Sequence, residues 1–126
     1  MSDEAHSYAI RIRPSARQGI QEAYDRLADF PGVNIANQWY EGLLNLFAEL
    51  SSYPGRYAAA RESRLFRAEV HVALHSLSPR STVYRVLFTI EEANGDPATV
   101  YIPSVRHGAR KPMTRAEARK IEDDAS

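Results

Sequence analysis

The chain contains no cysteine, which removes disulfides, thiolate nucleophiles and cysteine-bound zinc from its chemistry. It also lacks any apolar run near the ~20 residues that a membrane-spanning helix requires. The first residues, 1–6, show no basic-then-apolar layout, so no signal peptide is expected. These absences point to a cytoplasmic protein that does not associate with membranes. A net charge of one sign is missing as well: 16 Lys and Arg balance 16 Asp and Glu, an argument against indiscriminate nucleic-acid binding. There is no Walker loop, dinucleotide-binding glycine pattern, nucleophile elbow or paired-carboxylate motif, and no internal repeat or low-complexity segment. No cofactor and no metal are expected. What remains, 126 residues of which 44% are hydrophobic, is enough for one domain, 1–126, around one core.

The balanced charge is unevenly distributed. Between Ser15 and Tyr53 the only basic residues are Arg17 and Arg26, against Glu22, Asp25, Asp29, Glu41 and Glu49. Between Arg56 and Arg85 six arginines face Glu62 and Glu69, and between Ser104 and Lys120 six basic residues face Glu117 alone. If the two halves are apart in space, the basic half attracts nucleic acid or an acidic protein segment; if they meet, they neutralise each other.

Period-two alternation over residues 8–13 predicts a strand, stopped by Pro14. Ser15 with Gln18 forms a capping-box pattern that predicts a helix start there, slightly weakened by Gly19. Phe30, Pro31 and Gly32 break the chain. Ile35, Trp39, Leu43, Leu46, Phe47 and Leu50 then recur at helical spacing, and the short linker predicts an antiparallel helical hairpin. This places Trp39 and Tyr40 in a core stripe. Pro54 and Gly55 end the second helix, and residues 56–65 read as irregular. Residues 69–75 alternate as a strand, with Val70, Val72 and Leu74 on one face and Glu69, His71 and His75 on the other. Residues 83–90 are the best strand in the chain, and residues 99–106 form the last. Pro103 has no N–H for the ladder, which calls for a bulge or an unpaired stretch there. Thr114 with Glu117 is a second capping box, predicting a C-terminal helix from about Arg115. The acidic residues 122–124 sit badly at a helix C-terminus and should fray. The expected architecture is α+β: a helical hairpin on an antiparallel sheet of three or four strands, with a core over residues 8–113 and a short helix and acidic tail over 114–126.

Arg85 alternates with Tyr84, Val86 and Phe88, so it should project from the open face of the sheet beside Val83, Leu87 and Thr89. There it either holds a cross-strand ion pair, for instance with Glu69, or lines a groove. Arg106, His107 and Arg110 follow the last strand, with Gly108 allowing a bend or close approach to a ligand. Arginines brace the negative charge that develops on a phosphate, and a histidine moves protons near neutral pH. RNA cleavage needs those parts, which makes Arg85, Arg106 and His107 the catalytic candidates if the protein is a ribonuclease. The alternative is a solvated basic turn. Arg64, Arg67, His71, Arg110 and Lys111 are candidates for contacting a target or a nucleic acid. His71 and His75 share a strand face without an evident third metal ligand, so they read as a surface pair.

Six segments, in order, carry a family resemblance: Arg13-Pro14-Ser15-Ala16, Gln38-Trp39-Tyr40-Glu41-Gly42-Leu43-Leu44, Pro54-Gly55-Arg56-Tyr57, Ala60-Arg61-Glu62-Ser63, Tyr84-Arg85-Val86-Leu87-Phe88, and Val105-Arg106-His107-Gly108-Ala109-Arg110. Together they resemble the RelE/ParE superfamily of bacterial type II toxin–antitoxin toxins, especially its ParE-like, plasmid-stabilisation branch. The resemblance implies the same helical hairpin on an antiparallel sheet. It implies a cognate antitoxin that wraps the toxin, folds in doing so and forms a hetero-oligomer with it. ParE-like members poison DNA gyrase, whereas RelE-like members cut mRNA on the ribosome without metal. Arg85 matches a strand arginine of both branches, and Arg106, His107 and Arg110 match the ParE-like ending. The paired lysines of RelE are missing, with His71 and His75 nearby, and Thr114 stands about where RelE carries a late tyrosine. His71 and Pro103 also replace the arginine and the aliphatic residue common in the branch. The resemblance therefore favours a gyrase-directed, growth-inhibiting toxin. A ribosome-dependent endoribonuclease and a non-toxic homologue acting as a binding module are the alternatives.

Overall fold

A computed structural model describes residues 7–92 and 98–124. In chain order the elements are β1 (Ala9–Ile12), α1 (Pro14–Asp29), α2 (Val33–Ser52), two 3₁₀ turns (Pro54–Arg56 and Arg61–Leu65), β2 (His71–His75), β3 (Tyr84–Glu91), β4 (Thr99–His107) and α3 (Arg115–Asp123). Asn94, Gly95 and Asp96, residue types that mark a turn between the last two strands, lie outside the described residues. The strands form one sheet in the order β1-β4-β3-β2. β2, β3 and β4 make the expected antiparallel meander. β1 departs from the all-antiparallel expectation by lying parallel to β4, with Ala9 opposite Thr99 and Ile12 opposite Ile102. The sheet is mixed because the helical hairpin carries the chain back across its face, as a parallel pairing requires.

α1 begins one residue before the expected capping box. Its cap position is Arg13, whose side chain makes no capping bond, and Pro14 occupies the first turn. Proline is well suited there, since its fixed φ is helical and its missing N–H has no intrahelical partner to lose. Ala16 and Ala23 of α1 and Ala36, Trp39, Leu43, Phe47 and Leu50 of α2 are buried. All of these except Ala36 pack in one cluster with Ala73, Tyr84, Val86, Phe88, Val100, Ile102 and Val105 of the sheet. Each large apolar side chain buried this way contributes about 1.5–3 kcal/mol. Tyr40 departs from the expected core stripe and is 41% exposed, because it lies one residue past Trp39 and about 100° around the helix.

Gly19 does more than weaken α1. A Cβ there would sit 2.2 Å from the Val105 carbonyl oxygen, so the missing side chain lets helix and strand backbones approach.

The opposite face of the sheet is not open. Ala60, Val70, Leu87, Met113, Ala118 and Ile121 form a second buried cluster there, flanked by Leu65, Phe66 and Val72. Residues around the second 3₁₀ turn and α3 supply this cover. α3 starts as expected, with Thr114 Oγ1 accepting from Glu117 N–H at 3.1 Å. Its acidic end is helical through Asp123, held in part by Arg67 N–H donating to Glu122 Oε2 at 2.7 Å. Pro103 is accommodated by a register shift: Leu87 faces Ser104, while Thr89 faces Tyr101. Two steps on β3 thus match three on β4, a bulge that places Pro103 where no ladder N–H is needed.

Candidate functional site

Arg85 and Arg106 are directly paired across β3 and β4, and both project onto the face covered by α3. Two guanidinium groups side by side repel unless carboxylates intervene. Glu62, on the second 3₁₀ turn, takes Arg85 in a two-pronged bond: Nη2 donates to Oε1 at 2.8 Å and Nη1 to Oε2 at 3.2 Å. The Glu62 side chain is 3% exposed and that of Arg85 is 12% exposed. Burial pushes the Arg85 pKa down. The Glu62 charge opposes that, while Arg61 and Arg106 add to the depression. The ion pair expected with Glu69 is therefore made with Glu62. The chain folds back so that the 3₁₀ turn, rather than the neighbouring strand, meets Arg85.

Arg106 is more deeply held. Its Nη1 donates to Glu117 Oε2 at 2.9 Å and its Nη2 to the Lys111 carbonyl at 3.0 Å. Its side chain is 3% exposed. Arg110 approaches the same Glu117 oxygen at 3.2 Å from a largely exposed position. Glu117 thus bridges two arginines, while its own backbone N–H is capped by Thr114.

His107 does not join them. Successive strand residues project to opposite faces, and His107 lies edge-on to Tyr84, 5.4 Å between ring centres, on the helical-hairpin side. Its Nδ1 accepts the Ala109 N–H at 3.0 Å, which leaves the ring proton on Nε2. Gly108 approaches the protein itself rather than a ligand. Its N–H donates to the Val83 carbonyl at 2.7 Å, and a Cβ there would lie 2.7 Å from that oxygen.

His71 and His75 do not form a surface pair. They face the helical hairpin. His75 is buried, its Nε2–H donating to the Trp39 carbonyl at 2.9 Å and its ring 5.5 Å from that of Trp39. His71 is half-buried, stacked on Phe88 at 5.4 Å, with Nδ1–H donating to the Tyr57 carbonyl at 3.2 Å. Of the other candidate contact residues, Arg64, Arg67, Arg110 and Lys111 are exposed. Arg64 and Arg67 flank α3 from the second 3₁₀ turn and the residues after it. No group of His, Asp or Glu among the described residues is arranged to hold a metal ion.

The partners that decide this arrangement, Glu62 and Glu117, were not among the candidate residues from sequence. Glu117 was visible only as a capping residue. Glu62 carries only a weak signal in the sequence, an acid between Arg61 and Arg64 in an arginine-rich stretch.

A helical hairpin on one face of a four-stranded sheet, with paired strand arginines on the other, makes this an α+β domain with the architecture that the family resemblance implies. A family model described as "ParE toxin of type II toxin-antitoxin system, parDE" matches residues 10–112, and the chain belongs to that family. Membership makes it a type II toxin–antitoxin toxin and implies a cognate antitoxin as partner. A search of curated proteins finds no match. No described helix is long and apolar enough to cross a membrane.

Proposed function

We propose that this chain is the growth-inhibiting toxin of a cytoplasmic toxin–antitoxin pair, neutralised by its antitoxin and directed at DNA gyrase. It acts by gripping its target, not by cutting RNA. Family membership supports the toxin reading. The observation that carries gripping over cutting is the separation of Arg85 and Arg106 from His107. Phosphodiester cleavage needs an acid, a base and cations around one phosphate. Here both strand arginines are committed to Glu62 and Glu117 on one face of the sheet, while the imidazole lies on the other. Target contact then falls to exposed cations, with Arg64, Arg67, Arg110 and Lys111 as the candidates.

Induction of the protein without its antitoxin, with growth, mRNA integrity and gyrase supercoiling followed in the same cells, tests this. The expected result is arrested growth, inhibited supercoiling and intact mRNA, with His107→Ala as toxic as the parent. Cleaved mRNA that depends on His107 would overturn the gyrase reading in favour of a ribonuclease. Unimpaired growth would overturn both toxic readings and leave a binding module.

A further inference from the structure

β1 ends its pairing with Ile12 opposite Ile102, while β4 runs on to His107. Beyond Ile102 the outer edge of β4 is therefore bordered by helices instead of a strand. α1 lies against it at Gly19, where a Cβ would sit 2.2 Å from the Val105 carbonyl oxygen. α3 reaches the same stretch from the far face, where Arg106 Nη1 donates to Glu117 Oε2 at 2.9 Å. A cavity of about 230 Å³ opens between the two helices.

Ser104 forms its floor. It stands opposite Leu87, which belongs to the far-face cluster, so its side chain points under α3. Ser104 is 3% exposed, and its hydroxyl makes no hydrogen bond with the described residues. Buried hydroxyls are ordinarily paired, so this one calls for a partner inside the cavity. α1 supplies Ser15, Gln18 and Glu22 to one wall, with Gln18 Nε2 donating to Glu22 Oε2 at 3.2 Å. Glu117, Lys120 and Asp124 supply the other, and Arg110 stands at the mouth. Glu117 is held by Arg106 and Arg110. The side chains of Lys120 and Asp124 bind nothing among the described residues.

The charges around the cavity balance: Arg106, Arg110 and Lys120 stand against Glu22, Glu117 and Asp124. A lone anion there meets carboxylates, and a lone cation meets ammonium and guanidinium groups. A small ligand carrying both charges meets a complement for each.

We propose that this cavity binds a free α-amino acid with a polar side chain. The ligand's carboxylate pairs with Lys120 and Arg110, and its ammonium with Glu22 and Asp124, through charge-assisted hydrogen bonds. Its side chain reaches inward to the Ser104 hydroxyl. The volume suits so small a molecule, since sites for drug-sized ligands run to about 300–1,000 Å³. A ligand seated between α1 and α3 also fastens α3 to the rest of the fold. This site is separate from the toxin reading and stands or falls without it.

The probe is L-glutamine, titrated into the purified full chain and followed by calorimetry. Glutaramic acid, which lacks the ammonium, and L-glutaminamide, which lacks the carboxylate, are the comparisons, together with inorganic phosphate and glycerol. Glutamine is expected to bind in the millimolar range or tighter, and each analogue about tenfold more weakly. Ser104→Ala is expected to weaken glutamine about fivefold. Lys120→Gln should remove most of the discrimination against glutaminamide, and Asp124→Asn most of that against glutaramic acid. Bound glutamine should also slow amide exchange in α3 of the unaltered protein, a readout that no variant's folding can confuse. Absence of glutamine binding, equal binding of either analogue, of phosphate or of glycerol, or discrimination unchanged in both charge variants would overturn the proposal. So would exchange in α3 that glutamine leaves untouched.

Discussion

Arg85 and Arg106 stand opposite each other on neighbouring strands, and each is neutralised by a carboxylate from a different covering element. Glu62 comes from the 3₁₀ turn that follows α2, and Glu117 from the first turn of α3. The pair of arginines thus fastens both covering segments to the sheet. Arginine is suited to this because its planar fork makes two directed bonds at once and its charge persists when it is partly buried.

Removal of Glu62 leaves the Arg85 charge buried beside Arg106 without its partner. Glu62→Ala is expected to cost about 3–5 kcal/mol. Replacing both members, as Glu62→Leu with Arg85→Met, should cost much less, because no charge is then left unpaired. Urea denaturation of the two variants at neutral pH checks the difference.

Gly19→Ala reverses the usual helix rule. Alanine is favoured over glycine in a helix interior by about 1 kcal/mol, yet the new Cβ would meet the Val105 carbonyl 2.2 Å away. A net loss of about 1–3 kcal/mol is expected from the forced backbone shift. Gly55→Ala, where a Cβ meets nothing within 4 Å, serves as the control and should stay within about 0.5 kcal/mol of the parent.

Thr114→Ala removes the acceptor for the Glu117 N–H and is expected to cost about 1 kcal/mol. The loss should concentrate in α3. Amide exchange there would speed up, while exchange in β3 and β4 stays slow.

Alkaline pH should loosen the contact between Tyr57 and α2. Burial first, and then its hydrogen bond to Glu49, push the Tyr57 phenol above its ordinary value. The folded state then holds this proton more tightly than the unfolded state. The contribution is intact below about pH 10, the usual phenol pKa, and is lost as pH rises from there through the raised folded value. Tyr57→Phe should flatten that part of the stability curve, measured by denaturation from pH 8 to 11.

Much of the fold was readable from periodicity. The Trp39, Leu43, Phe47 and Leu50 stripe predicts the buried face of α2, alternation around Tyr84, Val86 and Phe88 predicts which side of β3 meets the helices, and Pro103 predicts the bulge in β4. Thr114 marks the start of α3 because capping acts over three residues. The site was less readable. Arg85 falls on a predicted strand and Arg106 at the very end of one, where β4 in fact continues through His107, but their partners lie 23 and 11 residues away in sequence, beyond the reach of any local pattern.

The sequence by itself determined the elements, their apolar faces and the family, since these rest on short-range spacing and on residues in fixed order. Only the tertiary structure decided that β1 runs parallel to β4 at an edge, that α3 covers the far face, and that His107 is divided from the two arginines. Those outcomes depend on which distant segments meet, and that is settled by packing the whole core at once.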